Sequence, residues 1–239
     1  MGEKSQVNNR LHAHLERVDA SVPCVTEEVG EVARADRVVV GVDVGAKAKG
    51  FHAAALLGGQ LIGKLATCDP EKIVDWCRSH KASAVGIDAP CQWSLNGGAR
   101  PCECELARLG ITSFATPSST EGRHNPFYQW MVNGAVLFHL LSPHYRLYDG
   151  GQSSQRPVCF ETFPHAIACT LADRRLSAKQ KRIDRRRVLV EAGIAADQLE
   201  TIDEIDAALC ALTAQHFLGG RFKAYGDIVE GFIIVPIKQ

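Results

Sequence analysis

Residues 37–44, RVVVGVDV, decide the fold. Five valines around one glycine make a β-branched run of strand length, the pattern of a buried strand. After Arg37 the run carries one charge, Asp43, near its end. A carboxylate at the end of a buried strand is poorly solvated and needs a hydrogen bond, a cation or a metal to offset that cost. The same arrangement recurs along the chain. Asp88 ends SAVGIDAP (83–90), Glu161 lies in PVCFETFP (157–164), and Asp203 and Asp206 open the helical pattern DEIDAALCALTA (203–214).

Working outward from 37–44, Gly45 to Gly50 make a turn, and residues 51–57 and 60–66 predict two strands around the hairpin signal Gly58-Gly59. Asp69-Pro70 starts a helix with Ile73, Val74 and Cys77 on one face. Residues 83–88 predict a fourth strand, stopped by Pro90. A strand–helix–strand connection favours parallel pairing with a right-handed crossover. Residues 91–155 are rich in Gly, Pro, Ser and Cys, with helical patterns near 103–109 and 128–141, and are expected to form an insertion or lid. A strand follows at 157–162. Ser177-x-x-Gln180 and Gly193 bound a helix over 178–192, and Thr201-x-x-Glu204 opens another that runs to about 218. A last strand, 231–235, ends in Pro236. The expectation is an α/β fold: a polar N-terminal extension over 1–34, then a single domain over 35–239 with its insertion at about 91–155.

The chain has 239 residues, 46% of them hydrophobic and 23% charged, which are ordinary globular values. Lys+Arg and Asp+Glu are 27 each. That balance argues against coating nucleic acid by bulk charge, while leaving room for a local grip on a few phosphates. Nine cysteines fall below the density of a disulfide scaffold. No apolar run approaches the roughly 20 residues needed to span a bilayer, and the polar start MGEKSQVNNR lacks the apolar core of a signal peptide. The expected location is the cytoplasm, with no membrane partner and free thiols.

If the first and fourth strands are parallel neighbours, Asp43 and Asp88 leave the same edge of the sheet, where α/β proteins bind ligands. Asp206 borders the stripe formed by Ile205, Leu209 and Leu212, while Asp203 lies farther round and suits the helix dipole. Magnesium and manganese prefer such carboxylate oxygens, and a pair of them can serve phosphodiester displacement. The expected metal ligands are Asp43, Asp88 and Asp206. The expected catalytic set adds Glu161 and Asp203. Gly41 and Gly45 leave room for close approach by backbone or phosphate.

Residues 174–187 hold eight basic residues in fourteen, either a phosphate-binding face or a solvated helix surface. Arg182 and Arg186 from this stretch, with Lys47, Lys49, Arg100 and Arg108, are the expected substrate contacts. Cys91, Cys102 and Cys104 have the wrong spacing for the usual zinc pair. Trp93, Phe127, Tyr128 and Trp130 are either base-stacking groups or a small core of the insertion. His165 either helps protonate a leaving group or is structural.

At these residues the chain resembles a known family. Asp43 before a hairpin, Asp88 on the fourth strand and D-x-x-D-A on the last helix are similar to the RNase H-like superfamily, and DEIDAALCALTA to the last helix of Holliday-junction resolvases. More closely, GVDVGAKAKG, GIDAP, RPCECELARLGI, WMVNGAVLFHLL, CFETFPHA, KRIDRRRVLVEAGI and DEIDAALCALTA resemble domain of unknown function 429, often described as predicted RNase H-like nucleases. These blocks span 37 to 236. The resemblance implies an RNase H-like mixed sheet of about five strands with helices on both faces and the insertion after the fourth. It also implies Asp43, Asp88, Asp203 and Asp206 at metal-ligand positions, magnesium or manganese as cofactor, and nucleic acid as partner. RNase H enzymes proper place a glutamate on the first helix, where this chain offers only Glu71 and Asp75.

The leading functional expectation is a metal-dependent nuclease that hydrolyses phosphodiester bonds of DNA or RNA by a two-metal carboxylate mechanism. One alternative is an actin-like or sugar-kinase-like ATP-dependent phosphotransferase, since GVDVG also resembles a phosphate-binding turn there. Another is a non-catalytic scaffold that keeps the fold.

Overall fold

The computed structural model describes residues 37–46, 48–151 and 156–238. The extension expected over 1–34, and Lys47, lie outside them. The stretch 37–44 forms β1 (Val39–Val44), buried throughout. The Gly45–Gly50 turn returns the chain as β2 (Phe51–Leu57), and Gly58-Gly59, both at positive φ, turns it into β3 (Gln60–Thr67). Helix α1 (Pro70–Ser79) is capped by the Asp69 side chain, which accepts the Glu71 N–H. Strand β4 (Ala84–Asp88) then pairs with β1 in parallel.

The expected insertion holds α2 (Pro101–Arg108), α3 (Ser119–His124), α4 (Gln129–Leu141) and the short β5 (Arg146–Leu147). Part of it is core: Leu137, Phe138 and Leu141 of α4 pack with Ile73 of α1 and with Val40, Val42 and Val85. The chain continues through β6 (Val158–Thr162), α5 (Pro164–Leu171), α6 (Lys181–Glu191), α7 (Ile202–Leu218), β7 (Phe222–Asp227) and β8 (Gly231–Pro236). The helix expected over 178–192 begins three residues later. Ser177 accepts the Lys179 N–H and caps a short 3-10 turn, 178–180, in place of the expected capping box.

The sheet runs β3-β2-β1-β4-β6-β8-β7, with β5 also against β6. Strands β1, β4, β6 and β8 are parallel and β2 is antiparallel to β1. The first five strands of that order, with the second reversed, form the RNase H-like sheet expected from the sequence. The β7–β8 hairpin and β5 enlarge it to eight strands. Helices cover both faces: α1 and α4 one, α5, α6 and α7 the other. Among the described residues no helix is long and apolar enough to cross a membrane.

Period-two alternation fixes which face each acid takes. Val40, Val42, Val85 and Ile87 turn toward α1 and α4. Gly41 and Gly86, paired in register, turn toward α7 and let it sit directly on the strands. A Cβ on Gly41 would meet the Ala207 carbonyl oxygen at 2.0 Å, and one on Gly86 the Cys210 oxygen at 2.6 Å. The room at Gly41 is therefore taken by helix backbone.

Candidate metal centre

Asp43 and Asp88 are register partners at the carboxyl ends of β1 and β4, on the α7 face. The close seat of α7 brings its first turns to the same edge. Thr201 and Glu204 form the expected capping box there: Glu204 N–H donates to Thr201 Oγ1 (3.1 Å), and Thr201 N–H to Glu204 Oε2 (3.2 Å). Those groups satisfy the helix terminus and leave Asp203 to other work. Lys49 spans the gap, its stem lying over Gly45 and its ammonium between Asp43 Oδ2 (3.0 Å) and Asp203 Oδ1 (2.6 Å).

One ligand atom each from Asp43, His52 and Asp203 lie within 4.8 Å of one another. His52 faces Asp43 across the β1–β2 pair, and its Nδ1 is buried with no hydrogen-bond partner among the described residues. The chemistry suits a hard divalent cation: carboxylate oxygens with one imidazole, and a spot that already holds the positive charge of Lys49.

The electrostatics show an under-neutralised cluster. Burial pushes the Asp43 carboxyl above its ordinary pKa, against the pull of Lys49. Burial, then Asp43 and Asp206, raise Asp88 well above its ordinary value. Among the described residues, the Asp88 carboxylate makes no hydrogen bond. Burial lowers and the two aspartates raise the pKa of Lys49, with a net rise.

Asp206 and Asp203, both expected at the site, have different partners. Asp206, one turn into α7 and 5% exposed, has its Oδ1 held by Arg185 Nη1 at 2.5 Å. Burial pushes its carboxyl up to about 6, with Arg185 opposing and Asp43 adding to the rise. Asp203 is the one that joins Asp43 and His52.

Glu161 lies at the same edge, lining a cavity with Asp88, but leaves its strand on the other face. Its neighbour Phe160 lies against Gly86 on the α7 face, so alternation turns Glu161 to the opposite face, in register with Ile87. There Arg100, 1% exposed, donates from Nη2 to Glu161 Oε1 (2.6 Å) and from Nη1 to Oε2 (2.9 Å). Arg100 Nε donates to Glu103 Oε1 (3.0 Å), and the Cys91 N–H to Glu161 Oε2 (2.9 Å). This buried ion pair leaves Arg100 no free donor for the substrate phosphate expected of it, and it already pairs the carboxylate of Glu161, which was expected in the catalytic set.

The basic stretch is also largely committed. Arg182 donates to the Glu200 carbonyl, and Arg186 to those of Ala196 and Leu199, bracing the loop that leads into α7. Arg174 pairs with Asp184 at 3.2 Å. Lys179, Lys181 and Arg187 remain exposed, as does Arg108 at the end of α2. Lys181 is near enough to lower the Asp206 pKa. His165 lies against Cys169 (Nε2 to Sγ 3.7 Å), and burial with Arg185 nearby lowers its pKa. Cys91, Cys102 and Cys104 are free thiols.

The sequence reading missed His52 and the double role of Lys49. The signal for His52 was present: the Gly45–Gly50 turn sets the hairpin register, which places residue 52 opposite residue 43.

A family profile described as "Protein of unknown function (DUF429)" matches residues 33–230. No curated protein matches the chain. Among solved structures, Thermus thermophilus RuvC is similar at 14% identity and a TM-score of 0.39, covering 77% of this chain and 95% of that one. The T. thermophilus RuvC complex with a Holliday junction substrate is similar at 15% identity and a TM-score of 0.42, with the same coverage.

Proposed function

The chain belongs to the DUF429 family, and from its geometry we propose that it is a metal-dependent nuclease whose centre is built on Asp43, Asp88 and Asp203. The observation that carries this reading is the carboxylate cluster at the carboxyl edge of β1 and β4, with its burial only partly offset by Lys49. Asp43, Asp88 and Asp203, with His52 beside them, would hold magnesium or manganese. Asp206 would offer the oxygen that Arg185 leaves, completing the donors a second ion needs. When bound, the metal supplies water activation and stabilises the leaving oxygen of a phosphodiester.

The chain's own groups do the rest. Arg185 holds Asp206 in place. Arg182 and Arg186 hold the loop before α7, and with it Asp203. Lys49 keeps the aspartates from repelling one another before metal arrives. Exposed Lys181, near Asp206, is the first phosphate contact of this reading, with exposed Lys179, Arg187 and Arg108, and Lys47 by its place in the sequence, as further ones. With Lys+Arg and Asp+Glu equal, this reading needs a local grip on a few phosphates and no coating by bulk charge.

The test is cleavage of branched, single-stranded and hybrid substrates in magnesium and in manganese, beside Asp43→Asn. Cleavage by the native chain that disappears in the variant supports the reading. Full activity in Asp43→Asn overturns it.

A further inference from the structure

A cavity of about 280 Å³ opens at the same edge of the sheet, with Asp88 in its lining. Its volume is near the lower end of the roughly 300–1,000 Å³ of small-ligand sites. Half-buried Trp130 and Phe163 form aromatic walls, and Phe114, 64% exposed, stands at its rim. From Phe114 an aromatic row continues outward: Phe127 lies edge-on at 5.4 Å, and Tyr128 at 5.0 Å from Phe127.

The polar lining sorts possible occupants. Arg100 contributes to the wall, but all three of its guanidinium nitrogens are committed to Glu161, Glu103 and backbone carbonyls. Glu103 and Glu161, paired with Arg100, also line the cavity, and Asp88 adds negative charge. A phosphate or other anion is therefore disfavoured. Thr112 and Ser113 also line the cavity. Among the described residues, neither their hydroxyls nor the backbone N–H and C=O groups of 112–114 have a hydrogen-bond partner within the chain. The cavity thus offers flat apolar walls with one unused edge of donors and acceptors, beside a proposed phosphodiester centre that shares Asp88.

We propose that this cavity receives one unpaired nucleobase of the substrate strand, sandwiched by Trp130, Phe163 and Phe114 and read along residues 112–114. The substrate class is nucleic acid with an extruded or single-stranded base next to the bond that is cut. Stacking on aromatic side chains suits this role because every base has a π-face. The proposal rests on the nuclease reading for its substrate strand, while the base site itself is testable without cleavage.

The experiment has two arms on the full chain, both free of added magnesium and manganese. Saturation-transfer NMR with adenosine, cytidine, guanosine and uridine, with ribose as control, reads the cavity directly. Saturation of base protons in the native chain, lost in Ser113→Trp, is the expected result. Ser113 is exposed, so the tryptophan fills the cavity without disturbing the core. Fluorescence anisotropy then compares a duplex carrying one bulged base with the same duplex carrying an abasic bulge. The bulged base should bind about tenfold tighter, and Phe114→Ala should remove about that factor. Nucleosides that fail to saturate, or saturate equally in Ser113→Trp, overturn the base site. Equal affinity for both duplexes, or no binding of either, overturns the unpaired-strand assignment. Failure of the nuclease reading would show separately, as no cleavage by a chain that still saturates nucleosides.

Discussion

Two acidic groups sit at one edge of the same sheet, and they are neutralised in opposite ways. Glu161 and Glu103 share one buried arginine that reaches both, and their oxygens take further N–H and hydroxyl donors from Cys91, the Arg100 backbone and Thr116. Asp43, Asp88, Asp203 and Asp206 have Lys49, itself partly exposed, and Arg185. The first group is complete without a ligand and reads as structure. The second leaves one carboxylate, Asp88, without a hydrogen bond among the described residues and holds three with raised pKa values. A strand-end acid marks a functional site only when its charge is left for something else to satisfy.

The largest expected effect comes from breaking the complete group. Arg100→Ala strands two buried carboxylates and should destabilise the chain by about 3–5 kcal/mol in urea unfolding. A change under about 1 kcal/mol would mean that the pair is not buried as described. Glu161→Gln keeps the shape and removes one charge-assisted pair. Its expected cost is about 2 kcal/mol, with manganese binding unchanged.

The incomplete group should respond with the opposite sign. Asp88 has its pKa raised in the folded chain, so its protonated form is the one that folding favours. That contribution is present below the ordinary carboxylate pKa and is lost as pH rises through the raised one. Without metal, Asp88→Asn should therefore be more stable than the native chain at pH 8, by on the order of 1 kcal/mol, or about 2–4 °C in Tm. The gain should vanish toward pH 4, where the native carboxyl is protonated. Added magnesium should stabilise the native chain but not the variant. A loss of stability at pH 8 without metal would place Asp88 with the structural acids.

The smallest effect sharpens the account of Lys49. Its ammonium competes for the charge a metal needs, so Lys49→Met should tighten manganese binding by roughly tenfold in calorimetry. Weaker binding would make Lys49 an organiser of the site and not a competitor.

Much of this was legible in the chain. The valine run, the Gly58-Gly59 turn, Asp69-Pro70 and Thr201-x-x-Glu204 are local signals, and they marked β1 to β4, α1 and α7. Strand β7 was not, because FKAYGD lies at the sheet edge with only Tyr225 buried and shows no apolar alternation. Helix α5 was missed because PHAIACTL is short and mostly buried, which leaves no helical period to read. The acids themselves were visible, but their partners were not. That Arg100 goes to Glu161 and Arg185 to Asp206 depends on contacts 61 and 21 residues apart. Alternation within β6 could have turned Glu161 away from Asp88, had its register with β4 been known.

The most direct measurement is calorimetric titration of manganese into the metal-free native chain, Asp43→Asn and Glu161→Gln, each shown to be folded by circular dichroism. The account predicts binding to the native chain and to Glu161→Gln, and none to Asp43→Asn. Binding that persists in Asp43→Asn, or that disappears in a folded Glu161→Gln, would contradict it.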